Sequence, residues 1–196
     1  MINETPADDP LRGLIAQRLK LERESRGMSI ATLADVSGVS RAMISKVERA
    51  EASPTADLLG RLSGAFGLTL STLLARAEKD GTNGRINRLS DQALWTDPAT
   101  GYQRRSLSPP GVDPELVQID LPPGASVSYP ASAYSFLGGQ IVWMLTGQLV
   151  IREGLEENTL DAGDCLSFDL QPARACSYTN PSATRPARYI VALARH

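Results

Sequence analysis

Arg41, Ala42, Ser45, Lys46 and Arg49 fall on one side of a short segment whose other side carries Ile44 and Val47, three apart. Basic and short side chains on one face, with no large apolar residue among them, are what a helix needs to lie in a DNA major groove. Other residues able to do chemistry are scarce. The one histidine, His196, is the last residue, and the two cysteines are Cys165 and Cys176. Most histidine-based chemistry is thereby removed from consideration, two cysteines make no disulfide framework, and no catalytic residue is assigned.

The neighbouring residues position that face. Ser29 is a candidate N-cap for a helix over Ile30 to Val36, with Leu33 and Ala34 on one side. Gly38 supplies the backbone freedom of a sharp turn, Val39 plugs the corner and Ser40 caps the next helix. Upstream, Leu11, Ile15 and Leu19 at i, i+4, i+8 predict a helix over Leu11 to Arg26, which Gly27 ends. Downstream, Glu51 to Pro54 reads as a loop, Thr55 to Phe66 as a fourth helix and Thr69 to about Ala77 as a fifth. The expected core is Leu19, Leu33, Ile44, Val47, Leu58, Leu62 and Phe66.

The runs R-G-M-S-I-A-T-L-A, S-G-V-S, I-S-K-V-E-R, S-P-T and L-L-G-R-L-S-G-A-F-G-L resemble the lambda-repressor-like DNA-binding domain of XRE-family transcriptional regulators. The resemblance covers about a third of the chain. It implies base contacts at Arg41, Ala42, Ser45 and Lys46, and phosphate contacts near Ile30 and the Ser53 to Ala56 amides, Thr55 included. It also implies an ion pair between Arg23, near the end of the first helix, and Glu48, closing the third. The family often carries Gln or Thr at the groove-facing positions; Arg41 and Ala42 differ, so no operator transfers.

Charge follows this division. Leu11 to Arg76 holds ten Lys/Arg against six Asp/Glu, whereas the whole chain of 196 residues is −2. Mild basicity confined to one segment suits phosphate contacts. Residues 1–10 are polar and expected to be disordered, 11–77 form the helical domain, 78–90 read as a linker, and 91–196 form a second domain. No signal-peptide layout or long apolar run is present, so a cytoplasmic protein without a membrane partner is expected.

From Ser90 onward Pro and Gly become frequent, and short β-prone runs alternate with turns: 102–107, 116–121, 125–129, 140–145, 148–152, 165–169, 175–178 and 188–193. The segments V-W-M-L-T-G-Q-L-V-I, L-D-A-G-D-C-L-S-F and S-Y-T-N-P…P-A-R-Y-I-V resemble a cupin domain. The expected fold is thus α + β in two domains: five helices, then an all-β cupin of the double-stranded β-helix type. That pairing resembles a family of dimeric regulators, which implies a homodimer, a double-stranded DNA operator and a small-molecule effector.

Many cupins hold a metal through histidines and a glutamate. The corresponding positions here are Ala133, Tyr134, Ser135 or Phe136, then Gln140 and Cys176, an inadequate ligand set, so neither metal nor cofactor is expected. Two readings of the interior remain: a packed core, or a metal-free pocket lined by Tyr134, Phe136, Gln140, Met144, Cys176 and Tyr178. The alternatives to a sensor are a cupin that only dimerises, or a cupin enzyme. The enzyme is disfavoured because its acid–base work would fall to Tyr or carboxylates on unplaced loops. Cys165 and Cys176 read as buried small hydrophobes. Trp143, out of phase with Gln140, is expected to meet another sheet or a partner subunit. Coupling between the domains is expected to run through the dimer interface.

Overall fold

A computed structural model describes residues 10–77, 86–109, 111–168 and 170–195. The expected tail (all but Pro10), most of the expected linker, Pro110 and Asp169 of the expected turn and strand, and His196 lie outside them.

Five helices come first: α1 (Pro10–Ser25), α2 (Ile30–Ser37), α3 (Arg41–Glu48), α4 (Ala56–Ala65) and α5 (Leu70–Ala77). The starts of α2 to α5 follow side-chain caps. Ser29 Oγ accepts from Thr32 N–H at 3.0 Å, Ser40 Oγ from Met43 N–H at 3.2 Å and Thr55 Oγ1 from Leu58 N–H at 3.3 Å. Thr55 and Thr69 are therefore caps, and their helices begin one residue later than the sequence predicts. Between α2 and α3, Gly38 sits at φ 68°, where a side chain would be strained, and its N–H closes α2 on Ala34 O.

Ile15, Leu19, Leu33, Ile44, Val47, Leu59 and Leu62 are all but fully buried, each worth about 1.5–3 kcal/mol of burial. Leu59 replaces the expected Leu58, which is half-buried. Helix α4 has neighbours on two sides, so its buried set is Ala56, Leu59, Gly60, Leu62 and Ser63.

Ten strands follow: β1 (Leu94–Thr96), β2 (Gln103–Ser106), β3 (Glu115–Leu121), β4 (Ser126–Tyr129), β5 (Leu137–Thr146), β6 (Gln148–Glu153), β7 (Glu156–Asp161), β8 (Cys165–Phe168), β9 (Cys176–Thr179) and β10 (Ala187–Arg195). They form two antiparallel sheets, ordered β1-β2-β3-β10-β5-β8 and β4-β9-β6-β7, the cupin-like arrangement. Strands β1 and β7 escape a sequence reading because β1 has three residues and β7 a single apolar one. Of β7, only Leu160 is buried, so no alternating apolar face marks it. In β5 the alternation buries Gln140, Val142 and Met144 and exposes Ile141 and Trp143. Cys165 pairs with Trp143 and faces outward with it, so it is exposed; only Cys176 is buried as expected.

The helical domain sits directly on the strands. Helix α4 packs on β4 and on the 3-10 turn Ala131–Ala133. A Cβ at Gly60 would come within 2.8 Å of the Tyr129 ring, and one at Gly64 within 2.9 Å of the Ser132 carbonyl oxygen. Two glycines four apart thus let a helix approach closer than any other residue allows. Polar contacts pin both ends of the junction. Ala56 N–H donates to Asp97 Oδ1 at 3.1 Å, Thr69 Oγ1 to Glu115 Oε2 at 2.8 Å and Arg195 Nη2 to Thr72 Oγ1 at 2.7 Å.

Candidate nucleic-acid interface and ligand chamber

Helix α3 turns Ile44 and Val47 into the core and leaves Arg41, Ala42, Lys46 and Arg49 exposed, with Ser45 half-buried beside them. Arg49 is already engaged: its Nε and Nη2 bond Glu51 at 2.7 and 2.8 Å, and Nη1 donates to Ser45 Oγ at 2.7 Å. Reaching a phosphate requires Arg49 to exchange Glu51 for it. Ile30 is half-buried against the core. Ser53 is exposed, while the Thr55 hydroxyl is spent on its cap. Among the amides expected to meet phosphate, that of Ala56 is corrected: its N–H is buried on Asp97 of the second domain, a contact no local pattern could foretell.

The hairpin is held from behind by charge. Arg23 makes a two-pronged bond to Glu48, Nε to Oε1 at 2.7 Å and Nη2 to Oε2 at 2.9 Å, and its Nη1 reaches Met28 O at 2.9 Å. This is the pair that the resemblance implied. Glu22 lies buried among Arg18, Arg26 and Arg76, the last at 2.9 Å. Burial alone would raise its carboxyl pKa; hydrogen bonds from the three arginines outweigh it and hold the group at about 2.

A helix-turn-helix family model matches residues 19–73. Over 92 residues the chain is 32% identical to the HTH-type transcriptional regulator DdrOP3 of Deinococcus deserti, covering 45% of this chain and 70% of that one. This chain is a helix-turn-helix transcriptional regulator of the XRE type. It is also 35% identical over 65 residues to SutR of Escherichia coli, a third of this chain but only 36% of SutR's length. A solved helix-turn-helix regulator of Vibrio cholerae has the same fold over 95% of this chain and 98% of its own, with a TM-score of 0.76 at 22% identity.

The regulator's second domain holds a chamber of about 60 Å³ at the mouth of the strands, and Gly60, Ser63, Thr69 and Leu70 of the helical domain line one side of it. Gly60 and Ser63 of α4 form the roof. Beneath them stand Tyr102, Arg104, Tyr129, Tyr134, Gln140 and Tyr178. Tyr129 OH donates to Tyr102 OH at 3.2 Å, and Arg104 Nη1 to the same oxygen at 3.4 Å. Gln140 Nε2 donates to Tyr178 OH at 2.6 Å, with Tyr134 OH 3.4 Å from it. Burial, then the neighbouring phenols, push Tyr129 and Tyr134 well above the ordinary phenol range. The hydroxyls therefore stay protonated.

Of the expected ligand residues, the structure brings Tyr134, Gln140 and Tyr178 together on the wall. Phe136, Met144 and Cys176 are not on it. Burial raises the Cys176 thiol to about 11, so it stays protonated near neutral pH. An amide, protonated phenols and a neutral thiol do not fit the metal many cupins hold. Among the described residues no three His, Cys, Asp or Glu side chains cluster as a metal site would need. Sequence reasoning missed Tyr102, Arg104 and Tyr129. Period two from Tyr102 would have put Arg104 on the same inward face, but β2 reads Q-R-R-S and looks solvated.

Proposed function

We propose that the regulator binds a partly palindromic operator as a homodimer, in the cytoplasm, and that its cupin domain senses a small molecule without metal or catalysis. The observation that carries the DNA-reading part is the exposed basic face of α3 on a fully capped hairpin. Arg41, Ala42, Ser45 and Lys46 read base edges, and Ile30, Ser53, Thr55 and Arg49 lie along the backbone track. Two-fold symmetry doubles the few bases that one helix reads and sets half-sites roughly one turn (~34 Å) apart. The outer face of the six-stranded sheet supports a dimer, since Leu116 of β3 and Ile141 and Trp143 of β5 are exposed there on either side of β10. The chamber supports sensing over a barrel that only dimerises, because a dimerisation scaffold has no need of an apolar pocket with a few polar groups in it.

The test is selection from a random DNA pool by the full chain, followed by affinity for the selected site with and without a filtered metabolite extract. A two-fold symmetric site whose affinity responds to the extract supports the reading. No enriched sequence defeats operator binding, and an extract without effect leaves only the dimerising barrel. Stoichiometric zinc, iron, nickel or manganese in the purified protein would contradict sensing without metal.

A further inference from the structure

All five tyrosines of the chain line the chamber: Tyr102, Tyr129, Tyr134, Tyr178 and Tyr189. Four of their hydroxyls bond one another or Gln140. The fifth does not. Among the described residues nothing bonds the Tyr189 hydroxyl, although only 2% of that residue is exposed. Gln140 is half engaged: its Nε2 donates to Tyr178 OH at 2.6 Å, and no described residue donates to its Oε1. An unpaired buried donor or acceptor is costly until a partner arrives. Charge, by contrast, is already met. Arg104 is the one ionic group of the described lining; it donates to Tyr102 OH at 3.4 Å, and the Glu115 charge acts on it from outside the lining. The chamber thus keeps hydrogen-bonding capacity open and no counter-charge to spare.

Building on the sensing reading above, we propose that the chamber binds a compact uncharged molecule that both accepts and donates hydrogen bonds, of which a short primary amide is the simplest. Its oxygen accepts from the Tyr189 hydroxyl, its N–H donates to Gln140 Oε1, and its carbon body lies against Ile119, Leu137 and Val191. A carboxylate or an ammonium would give up its hydration for a site without a free opposite charge, a loss that a neutral isostere does not face. About 60 Å³ holds roughly four to six heavy atoms, at about 10–15 Å³ for each atom of water's size. Gly60 and Ser63 bring α4 to the same void, and α2 packs on α4, so the occupant bears on the helices that carry α3. The signal then needs no relay through a partner subunit.

Calorimetric titration of the full chain with acetamide, propionamide and isobutyramide tests this, with propionate and propylammonium as charged isosteres. Saturable binding of at least one amide is expected, with both ions at least about 10-fold weaker. Tyr189→Phe removes a hydroxyl that bonds no described residue, so the variant should keep its melting temperature and bind the amide about 10-fold more weakly. Gln140→Met should weaken binding likewise, and Tyr189→Phe carries the test if that variant does not fold. Ions binding as tightly as the amides, or amide binding indifferent to Tyr189→Phe, overturns the proposal. So does failure of all three amides to bind; if the metabolite extract still alters operator affinity, the ligand class is wrong and the sensing barrel stands. An extract without effect removes the sensing reading itself.

Discussion

Single residues divide here into those that hold the DNA-reading face and those that form it. Arg23 and Glu48 are nearly buried partners, their side chains 11% and 7% exposed, so removing one strands the other. Glu48→Ala is expected to cost about 3–5 kcal/mol in urea unfolding, and Arg23→Met with Glu48→Leu less than the sum of the single changes. Glu22 sets an acid limit. Its folded pKa of about 2 lies below the ordinary 4.5 of a free carboxyl, so its contribution is complete above pH 4.5 and is lost as pH falls toward 2. That contribution is on the order of 3 kcal/mol. Unfolding curves from pH 7 to pH 2.5 should show it in the wild type and not in Glu22→Gln; equal slopes would contradict the assignment. On the face itself, Arg41→Ala and Lys46→Ala should each lose about 1–3 kcal/mol of discrimination at one base pair per half-site. Weakening that is uniform across sequences, with a shallower salt dependence, would make them phosphate contacts instead.

Elements were legible where local chemistry decides them. Caps at Ser29 and Ser40, and the turn at Gly38, are written in residue types and spacing, and α2 and α3 stand where these put them. Edge strands β1 and β7 were not legible, because a strand with little buried face carries no period-two signal. Nor was the roof. Gly60 and Gly64 inside α4 look like losses of helix propensity, and their reason lies in a distant segment, Tyr129 to Ala133. The wall at Tyr134, Gln140 and Tyr178 followed from the cupin resemblance, whereas Arg104 was hidden in a polar-looking run. Gly64→Ala pits two effects against each other. Alanine improves α4 by about 1 kcal/mol. Its Cβ meets a backbone carbonyl at 2.9 Å, which cannot swing aside as a side chain can. The helical domain should therefore stay folded and part from the barrel, seen as faster hydrogen exchange at Ala56 N–H with α1 to α3 protection unchanged.

At the scale of the molecule, the two domains are two ends of one device. Asp97 and Glu115 of the barrel domain bond Ala56 N–H at the start of α4 and the Thr69 cap of α5, so docking and helix capping are the same contacts. The face of α3 remains open while α4 is docked, so a ligand in the chamber, as proposed, would not block DNA from α3. A typical allosteric coupling of 1–3 kcal/mol would alter operator affinity about 5- to 150-fold. The most direct test is operator affinity of the wild type and of Gly64→Ala, each with and without the metabolite extract at fixed salt. The account predicts a shift of that size in the wild type and little or none in Gly64→Ala, with both binding the operator. An equal shift in the two proteins would show that the signal does not travel through α4.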